Sequence, residues 1–310
     1  MQHFKDLKTL LAYFSDEKVA WDYLEEQLWH GKPVCPHCGS EKVYRLSNYK
    51  QFKCSNKATC DKKFTVTVGT IYQNTRIPLS TWFAAIYLTA CNKKGISSHQ
   101  LARYLSTTQR TAWYLLHRIR EMVKVATDVQ LDTNVSIDET YVKGRAANRT
   151  KHQKKLIAAG IRLDEPTIVL GMVQKDSNAV FKVVPNAEIS SIKPVIYETI
   201  QDAATTIVTD AYTAYDSIGE AYDKHVSINH SMGEWSKDGF STNNAEGAFS
   251  WFKRTIYGTY HFVSPKHFQS YCNLFTYRFN TRKIKDHERF SDVTKKGQGR
   301  LTYRELIKKA

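Results

Sequence analysis

The chain has 310 residues, a formal net charge of +15 at pH 7 and a pI of about 9.4. This length is typical of two or three domains with a sizeable core, and the positive excess favours a polyanionic partner such as nucleic acid. A merely soluble basic protein would carry the same charge. No apolar run approaches the roughly 20 residues of a membrane span, and the N-terminus lacks a signal-peptide core, so we expect a cytoplasmic protein without membrane association.

Residues 1–30 are predicted to form a short helical lead of two helices. The second helix begins at Ser15-Asp-Glu, a good N-terminal cap. The first helix has one apolar face, formed by Phe4, Leu7, Leu10, Leu11 and Phe14. We expect this lead to pack against the module that follows it.

Residues 31–70 contain four of the six cysteines, in the spacing C-x2-C-x15-C-x5-C. Zinc prefers four soft ligands in a tetrahedron, and paired cysteines on two turns supply them. The pattern predicts a zinc ribbon with structural Zn²⁺ bound by Cys35, Cys38, Cys54 and Cys60. Free core thiols are the alternative reading. Lysines around the ribbon suggest DNA contact, and a purely structural zinc is the competing role.

Residues 78–127 have the pattern of a helical domain with a helix-turn-helix. Helices are predicted from residue 80 to 91, from 95 to 105 and from 107 to 122, and the last two are joined by a short polar turn. In such a motif the start of the second helix enters the major groove. The predicted DNA-contact residues are Gln109, Arg110 and Tyr114, with Arg118 and Arg120 near phosphates. A plain helical bundle is the alternative.

Residues 132–285 read as an α/β domain, followed by a basic tail over 286–310. Residues 143–155 form a basic loop that is a candidate for DNA contact. The order of elements indicates a ribonuclease-H-like fold with a mixed sheet. Strands are predicted over 135–141, 156–163, 167–173, 179–184, 206–210 and 225–230, and helices over 192–203, from 241 onwards and over 266–282.

Three acids in this domain occupy positions suited to a catalytic metal site. Asp138 and Asp210 each end an apolar, β-branched run, where an acid is unfavourable unless it is paired or binds a metal. Together with Glu246, 36 positions after Asp210 and near the start of the long helix, they predict a Mg²⁺ site that acts on DNA phosphodiesters. Lys253 lies two helical turns after Glu246 and is a candidate phosphate contact; a solvated lysine is its alternative. Glu139 is expected on the opposite strand face.

Two further residues near the acids have open interpretations. Asn243 and Glu246 also match a capping box, in which Glu246 would be structural. His230 follows a predicted strand and is interpreted as structural rather than catalytic. Arg278 and Arg282 share a helix face and are candidates for binding the DNA backbone or pairing with acids.

The combined motifs resemble bacterial insertion-sequence transposases that have an N-terminal zinc ribbon and a DDE catalytic domain. The resemblance covers about residues 20–283 and depends on Cys35-Pro-His-Cys-Gly, Ile137-Asp-Glu-Thr-Tyr-Val, Thr209-Asp-Ala-Tyr-Thr-Ala-Tyr and Asn243-Asn-Ala-Glu-Gly-Ala-Phe-Ser-Trp-Phe-Lys-Arg, with further matches. By resemblance, Asp138 and Asp210 are the first two catalytic acids, and Asn243 occupies the place that many relatives use for the third ligand.

The resemblance implies Mg²⁺ or Mn²⁺ as the catalytic metal and double-stranded DNA, both terminal inverted repeats and target, as the partner. It also implies a homodimer or higher oligomer on DNA, associated with the bacterial nucleoid. The chain departs from the family pattern at Leu274, where relatives often carry an acid, and at Thr281, where they often carry a basic residue. A nuclease that only hydrolyses DNA and a DNA-binding regulator with a degenerate catalytic domain are the competing functions.

Overall fold

The computed structural model describes residues 4–124, 127–143, 151–159, 166–211, 215–229 and 232–308. The chain divides into two compact units. The terminal unit consists of Met1–Val123 together with Lys283–Ala310, and the central unit consists of Lys124–Arg282. In sequence, the central unit is therefore an insertion between two pieces of the terminal unit.

The terminal unit combines helices with a small antiparallel sheet of order β1-β2-β3. Asp16, which lies within the predicted cap Ser15-Asp-Glu, caps the second helix through its side chain. The elements are α1 Leu7–Tyr13, α2 Glu17–Trp29, β1 Val43–Arg45, β2 Phe52–Cys54, β3 Lys63–Phe64, α3 Leu79–Ala90, α4 Ser98–Tyr104, α5 Gln109–Met122, α11 Asp286–Lys295 and α12 Tyr303–Ile307.

The sequence suggests a basic tail over residues 286–310, but the described residues 286–308 form an integral part of the terminal unit. Phe290 of α11 is fully buried among aromatic rings, with centroids 5.8 Å from Phe83 and 6.3 Å from Phe14. The hydroxyl of Ser291 donates to Gln27 of α2 at 3.0 Å. Burial of a whole Phe side chain contributes roughly 1.5–3 kcal/mol, which holds the segment in place despite its charge.

Helices α4 and α5 form where the helix-turn-helix pattern predicts them. Ser97 caps α4 by accepting a hydrogen bond from the Gln100 amide, and Thr108 caps α5 by accepting one from Thr111. Ser106, in the connection, has a φ of 49° in the left-handed region. These two caps define where the helices begin.

The central unit contains a five-stranded mixed sheet of order β6-β5-β4-β7-β8. Strands β4, β5 and β6 are antiparallel, whereas β7 and β8 run parallel to β4. The elements are β4 Asn134–Val142, α6 Lys151–Ala158, β5 Thr167–Gln174, β6 Ala179–Val184, α7 Ile189–Thr199, β7 Thr206–Asp210, α8 Asp216–Gly219, β8 Lys224–Ile228, α9 Asn243–Thr255 and α10 Pro265–Asn280, with a π-helix at Ile256–Tyr260.

Helices cover both faces of this sheet. On one face, α7 packs its isoleucines against β4, β5 and β7. On the other face, α9 and α10 pack against β5 and β6, and Phe181 of β6 lies within 5.6 Å of the rings of Phe249, Phe252 and Phe275. The residues predicted to form the core-facing stripe of α9, namely Ala245, Phe249, Phe252 and Ile256, are all buried.

One predicted strand is wrong. Residues 151–158, which overlap the predicted strand over 156–163 and the end of the predicted basic loop, form helix α6. Lys, Gln, Leu and Ala are good helix formers, and an apolar run as short as Leu156-Ile157 does not distinguish a strand from a helix. Residues 144–150 of the loop, 160–163 of the strand, and His230 lie outside the described residues.

Candidate functional site

Asp138 and Asp210 occupy equivalent positions on adjacent strands. Strand β4 pairs in parallel with β7, and the last paired residues are Ser136 and Val208. Two residues further along each strand, this register brings Asp138 beside Asp210. Since side chains alternate along a strand, both aspartates lie on the face to which Ser136 belongs.

Helix α9 begins over this same face. The Ser136 hydroxyl donates to the carbonyl of Ser241 at 3.3 Å, just before the helix starts. On the other side of β4, Asp138 pairs with Gly171 of β5, and a Cβ on Gly171 would lie only 2.5 Å from the ring of Phe249. Glycine at this position therefore lets α9 approach the sheet closely beside Asp138.

The first turn of α9 carries both candidates for the third ligand. Thr242 is the N-cap residue, Asn243 is the first helical residue, and Glu246 lies in the first turn. The Thr242 hydroxyl donates to a Glu246 carboxylate oxygen at 3.1 Å. The capping box considered for Asn243 and Glu246 is thus not the arrangement found, because the cap lies one residue earlier.

Burial and the neighbouring acids disfavour the ionised form of Asp138. Burial is the largest cause that raises the pKa of Asp138 to about 6, and the charges of Glu139, Asp210 and Glu246 add to it. The Glu139 amide donates to Asp138 at 2.8 Å, which works in the opposite direction. Such a cluster of like charges is stabilised by a cation, and perturbed acids of this kind concentrate at functional sites.

Glu139 faces away from Asp138, as expected from strand alternation, and has a partner of its own. The hydroxyl of buried Tyr215 donates to the Glu139 carboxylate at 2.6 Å. Burial raises the pKa of Glu139, and this bond lowers it. Sequence reasoning assigned no role to Tyr215, although its place five residues after Asp210 was the available signal.

Below the end of β7, polar side chains fix the backbone of Asp210. The Thr209 hydroxyl donates to the Asp210 carbonyl at 2.8 Å and is 2.9 Å from Nε2 of His225. The Ser227 hydroxyl donates to the same carbonyl at 3.3 Å. Strand β8 thereby fixes the end of β7, and with it the backbone position from which the Asp210 side chain extends.

The remaining candidates in this unit differ in exposure. Lys253 is exposed on α9, about 10 Å along the helix axis from Glu246. Arg278 is only 3% exposed, and its Nε donates to the carbonyl of Leu274, so this side chain packs inside the unit; its contact with the DNA backbone or with acids stays a prediction. Arg282 donates to the Phe279 carbonyl and lies 4.2 Å above that ring.

The four ribbon cysteines meet the geometric requirement for zinc. Sulfur–sulfur separations are 3.7 Å for Cys35 and Cys60 and 3.6 Å for Cys38 and Cys54, and all four sulfurs lie within 4.8 Å of one another. A tetrahedron with Zn–S bonds of about 2.3 Å has sulfurs about 3.8 Å apart. Burial disfavours the Cys35 thiolate, but amide hydrogen bonds from His37 and Cys38 outweigh it and help lower the Cys35 pKa to about 7.

The acids of the central unit are less tightly gathered. Across the described ranges, a search for three or more His, Cys, Asp or Glu side chains close enough to share one metal ion finds the four cysteines and does not find the acids. The acids fit a Mg²⁺ site of a different kind, because this ion takes few carboxylates and fills its shell with water and substrate phosphate. Asp138 and Asp210 would hold such an ion, with the start of α9 as the third contributor.

The predicted DNA-contact residues of α5 fall into two groups. Gln109 and Arg110 are exposed at the start of the helix. Arg118 is only 5% exposed, stacks on Trp82 and donates to the Gln73 carbonyl, so its side chain packs within its own unit, and its phosphate contact stays a prediction.

Two further candidates on α5 also make contacts within the chain. The Tyr114 hydroxyl donates to the Leu301 carbonyl at 2.6 Å, and its base contact stays a prediction. Arg120 is buried as well. A helix with two aromatic residues and three arginines does not reveal from sequence which of them face its own unit.

Comparisons with known proteins agree with both halves of the chain. Residues 15–63 match the transposase zinc-ribbon domain, and residues 130–280 match the ISXO2-like transposase domain. A protein of Halobacterium salinarum described as an uncharacterized protein in transposable element ISH50 is 24% identical over 251 residues, which cover 78% of this chain and 84% of the relative. Among the described residues, no helix has the length and apolar character needed to cross a membrane.

The two matched domains together cover more than half of the chain, in the order that the sequence motifs predict. The ribbon match contains all four gathered cysteines, and the second match contains Asp138 of β4, Asp210 at the end of β7 and the start of α9. The chain belongs to the family of insertion-sequence transposases with an N-terminal zinc ribbon and a DDE domain.

Proposed function

We propose that this chain is a DNA transposase that binds the terminal inverted repeats of its element and carries out metal-dependent DNA cleavage and strand transfer. The observation that supports this most directly is the register of β4 and β7, which brings Asp138 and Asp210 side by side beneath the start of α9. The sheet order and the helices on both faces are those expected of a ribonuclease-H-like domain.

The chemistry follows from the charges of the site. Divalent ions, Mg²⁺ or Mn²⁺, would stabilise the attacking and leaving oxygens of an in-line displacement. Asp138 and Asp210 would hold these ions against the scissile phosphate. Water attacks the phosphodiester and the bond to the 3′-oxygen breaks, which leaves a 3′-hydroxyl on one side of the break and a 5′-phosphate on the other. The freed 3′-hydroxyl then attacks a phosphodiester of target DNA, which joins the element to its target and releases a new 3′-hydroxyl.

For the third ligand, the proposal favours Glu246 over Asn243. Glu246 is among the charges that raise the pKa of Asp138, which means that its carboxylate acts on the site electrostatically. A carboxylate is also a stronger Mg²⁺ ligand than an amide oxygen. The hydrogen bond from Thr242 orients the Glu246 side chain within the first turn. Lys253, on the same helix, is proposed to contact a DNA phosphate.

The terminal unit is proposed to recognise the ends of the element. Gln109 and Arg110 are exposed at the start of α5, the position from which a helix-turn-helix reads bases. The zinc ribbon is proposed to hold structural Zn²⁺ and to add basic contacts from its lysines. We further propose that the chain works as a homodimer or higher oligomer, because two element ends must be joined, and that it acts at the nucleoid in the cytoplasm.

A strand-transfer assay tests the proposal. Purified full-length protein is incubated with Mg²⁺, a labelled duplex from the end of the element and a supercoiled target plasmid. The proposal predicts cleaved ends and products joined to the plasmid, both lost with EDTA. Cleavage without joining would identify a hydrolytic nuclease, and specific binding without either reaction would identify a regulator.

A further inference from the structure

The C-terminal segment 297–308 lies against the start of α5 and belongs to neither of the two matched domains. It is held to the rest of the terminal unit by backbone hydrogen bonds. Gln298 forms an antiparallel bridge with Thr70, and the Ile71 amide donates to the Gly297 carbonyl at 2.8 Å. Leu306 of α12 is buried. The segment is therefore an ordered part of this unit.

Within this segment, Tyr303 engages the exposed arginine of α5. The Arg110 guanidinium lies 4.7 Å from the Tyr303 ring centroid, and its Nε donates to the Tyr303 hydroxyl at 3.0 Å. The Tyr303 ring also packs edge-on against Tyr114, at 5.5 Å. The hydrogen bond uses the Nε–H of Arg110 and leaves the paired Nη–H donors for another acceptor pair.

This arrangement suits the reading of a guanine base. Arginine recognises guanine by donating two parallel hydrogen bonds to O6 and N7 in the major groove. A guanidinium already stacked and bonded at Nε loses less conformational freedom on binding than a mobile one. Tyr303 thus prepares Arg110 for a two-bond contact.

The charge of the segment is complementary to DNA. Residues 297–308 carry Arg300, Arg304 and Lys308 against a single acid, Glu305, and these basic side chains are exposed. The Glu305 carboxylate accepts hydrogen bonds of 2.7 Å from the Thr302 amide and hydroxyl, so this acid is used to begin α12.

We infer that residues 297–308 form part of the surface that binds double-stranded DNA at the element ends, an inference that rests on the proposed end recognition by α5. Tyr303 is a positioning residue for Arg110, and Arg300 and Arg304 contact phosphates that flank the base read by Arg110. The DNA-binding surface is therefore assembled from two stretches of chain between which the whole central unit is inserted.

The test uses full-length protein and fluorescence anisotropy with two duplexes, one from the element end and one scrambled with the same composition, over a range of salt concentrations. Arg110→Ala is expected to lower the preference for the end duplex roughly 5- to 150-fold, the loss expected for a base contact. Tyr303→Phe keeps the ring and is expected to lower the same preference about 2- to 10-fold, at an unchanged salt slope.

Arg300→Ala combined with Arg304→Ala is expected to weaken binding of both duplexes alike and to reduce the slope of log K against log salt by about 2. The matched control, Lys5→Ala with Lys8→Ala at the exposed start of the α1 region, removes the same charge and is expected to leave the slope unchanged. Thermal unfolding verifies that each variant is folded.

Three results would overturn the inference: unchanged preference in Tyr303→Phe, a double-arginine variant that binds like the lysine control, or tighter DNA binding by Tyr303→Ala, which would identify the segment as an inhibitory cover. If these occur while Arg110→Ala still loses preference, the proposed end recognition stands and only the inference fails. A wild-type protein that does not prefer the end duplex would refute the proposed recognition itself.

Discussion

Replacing Gly171 by alanine tests the close approach of α9 to the sheet. The added Cβ would lie 2.5 and 2.9 Å from ring atoms of Phe249 and 3.1 Å from Phe181, so the Phe249 ring has to move. Overpacking of this kind costs about 1–3 kcal/mol. Alanine also restricts the unfolded chain, which raises the unfolding free energy by about 0.4–1 kcal/mol. This gain applies because the Gly171 backbone is not in the left-handed region and can accept a side chain. The net expected loss of unfolding free energy is about 1–2 kcal/mol.

The assay is urea unfolding combined with cleavage of an end duplex. Since α9 carries Glu246, displacement by about 1 Å is expected to reduce cleavage by about 10²-fold. Gly247→Ala on the same helix is the matched control; its Cβ meets no atom within 4 Å, and the variant should gain up to about 1 kcal/mol in stability.

A rescue variant makes the test specific for the contact with the ring. Phe249→Leu removes the outer ring atoms, so the double variant Gly171→Ala with Phe249→Leu should be more stable than the sum of the two single effects predicts, by about 1 kcal/mol. Strictly additive effects, or a Gly171→Ala protein as stable and active as the wild type, would refute the proposed role of this glycine.

Four other predictions concern the metal sites and their surroundings. Metal analysis should find about one zinc per chain, lost in Cys35→Ser; full zinc content in that variant would contradict the site. Glu246→Gln should abolish cleavage with little change in unfolding temperature. If the Glu246→Gln protein still cleaves DNA while Asn243→Ala is folded but inactive, the third metal ligand is Asn243. Without divalent ions, stability should fall as pH rises from 3.8 to about 6, because the folded state keeps the Asp138 proton that the unfolded chain has released; urea unfolding across this range should show a flatter profile in Asp138→Asn. Tyr215→Phe should lower the unfolding free energy by about 1–2 kcal/mol by removing the bond to half-buried Glu139, and unchanged stability would contradict that bond's role.

Much of the central unit follows from the sequence because its strands are regular apolar runs. Strand β7 begins and ends at the predicted residues, as does β6, and each is rich in β-branched or aromatic side chains. The position of Asp210 at the end of a buried run was also visible, since an acid at such a place needs a partner. Local pattern and tertiary environment agree at these elements.

The C-terminal segment shows what the sequence does not reveal. Phe290 packs on Phe83, and Tyr303 on Arg110, across more than 190 positions of sequence. The composition of the segment indicates only that it is basic, not that Phe290 and Tyr303 make these contacts. Likewise, the burial of Arg118 depends on Trp82 of another helix, and α5 alone cannot indicate it. Such pairings depend on tertiary contacts for which a single sequence carries no periodic signal.

The central claim is that Asp138 and Asp210 together bind the metal that DNA cleavage requires. The most direct measurement compares single-turnover cleavage of an element-end duplex by wild-type protein and Asp210→Asn in Mg²⁺, with thermal unfolding of both. Because Asp210 contributes to the repulsion that raises the pKa of Asp138, its neutralisation should leave the unfolding temperature unchanged or raise it, while cleavage falls by about 10³-fold or more. An Asp210→Asn protein that cleaves within about tenfold of the wild type would contradict the account.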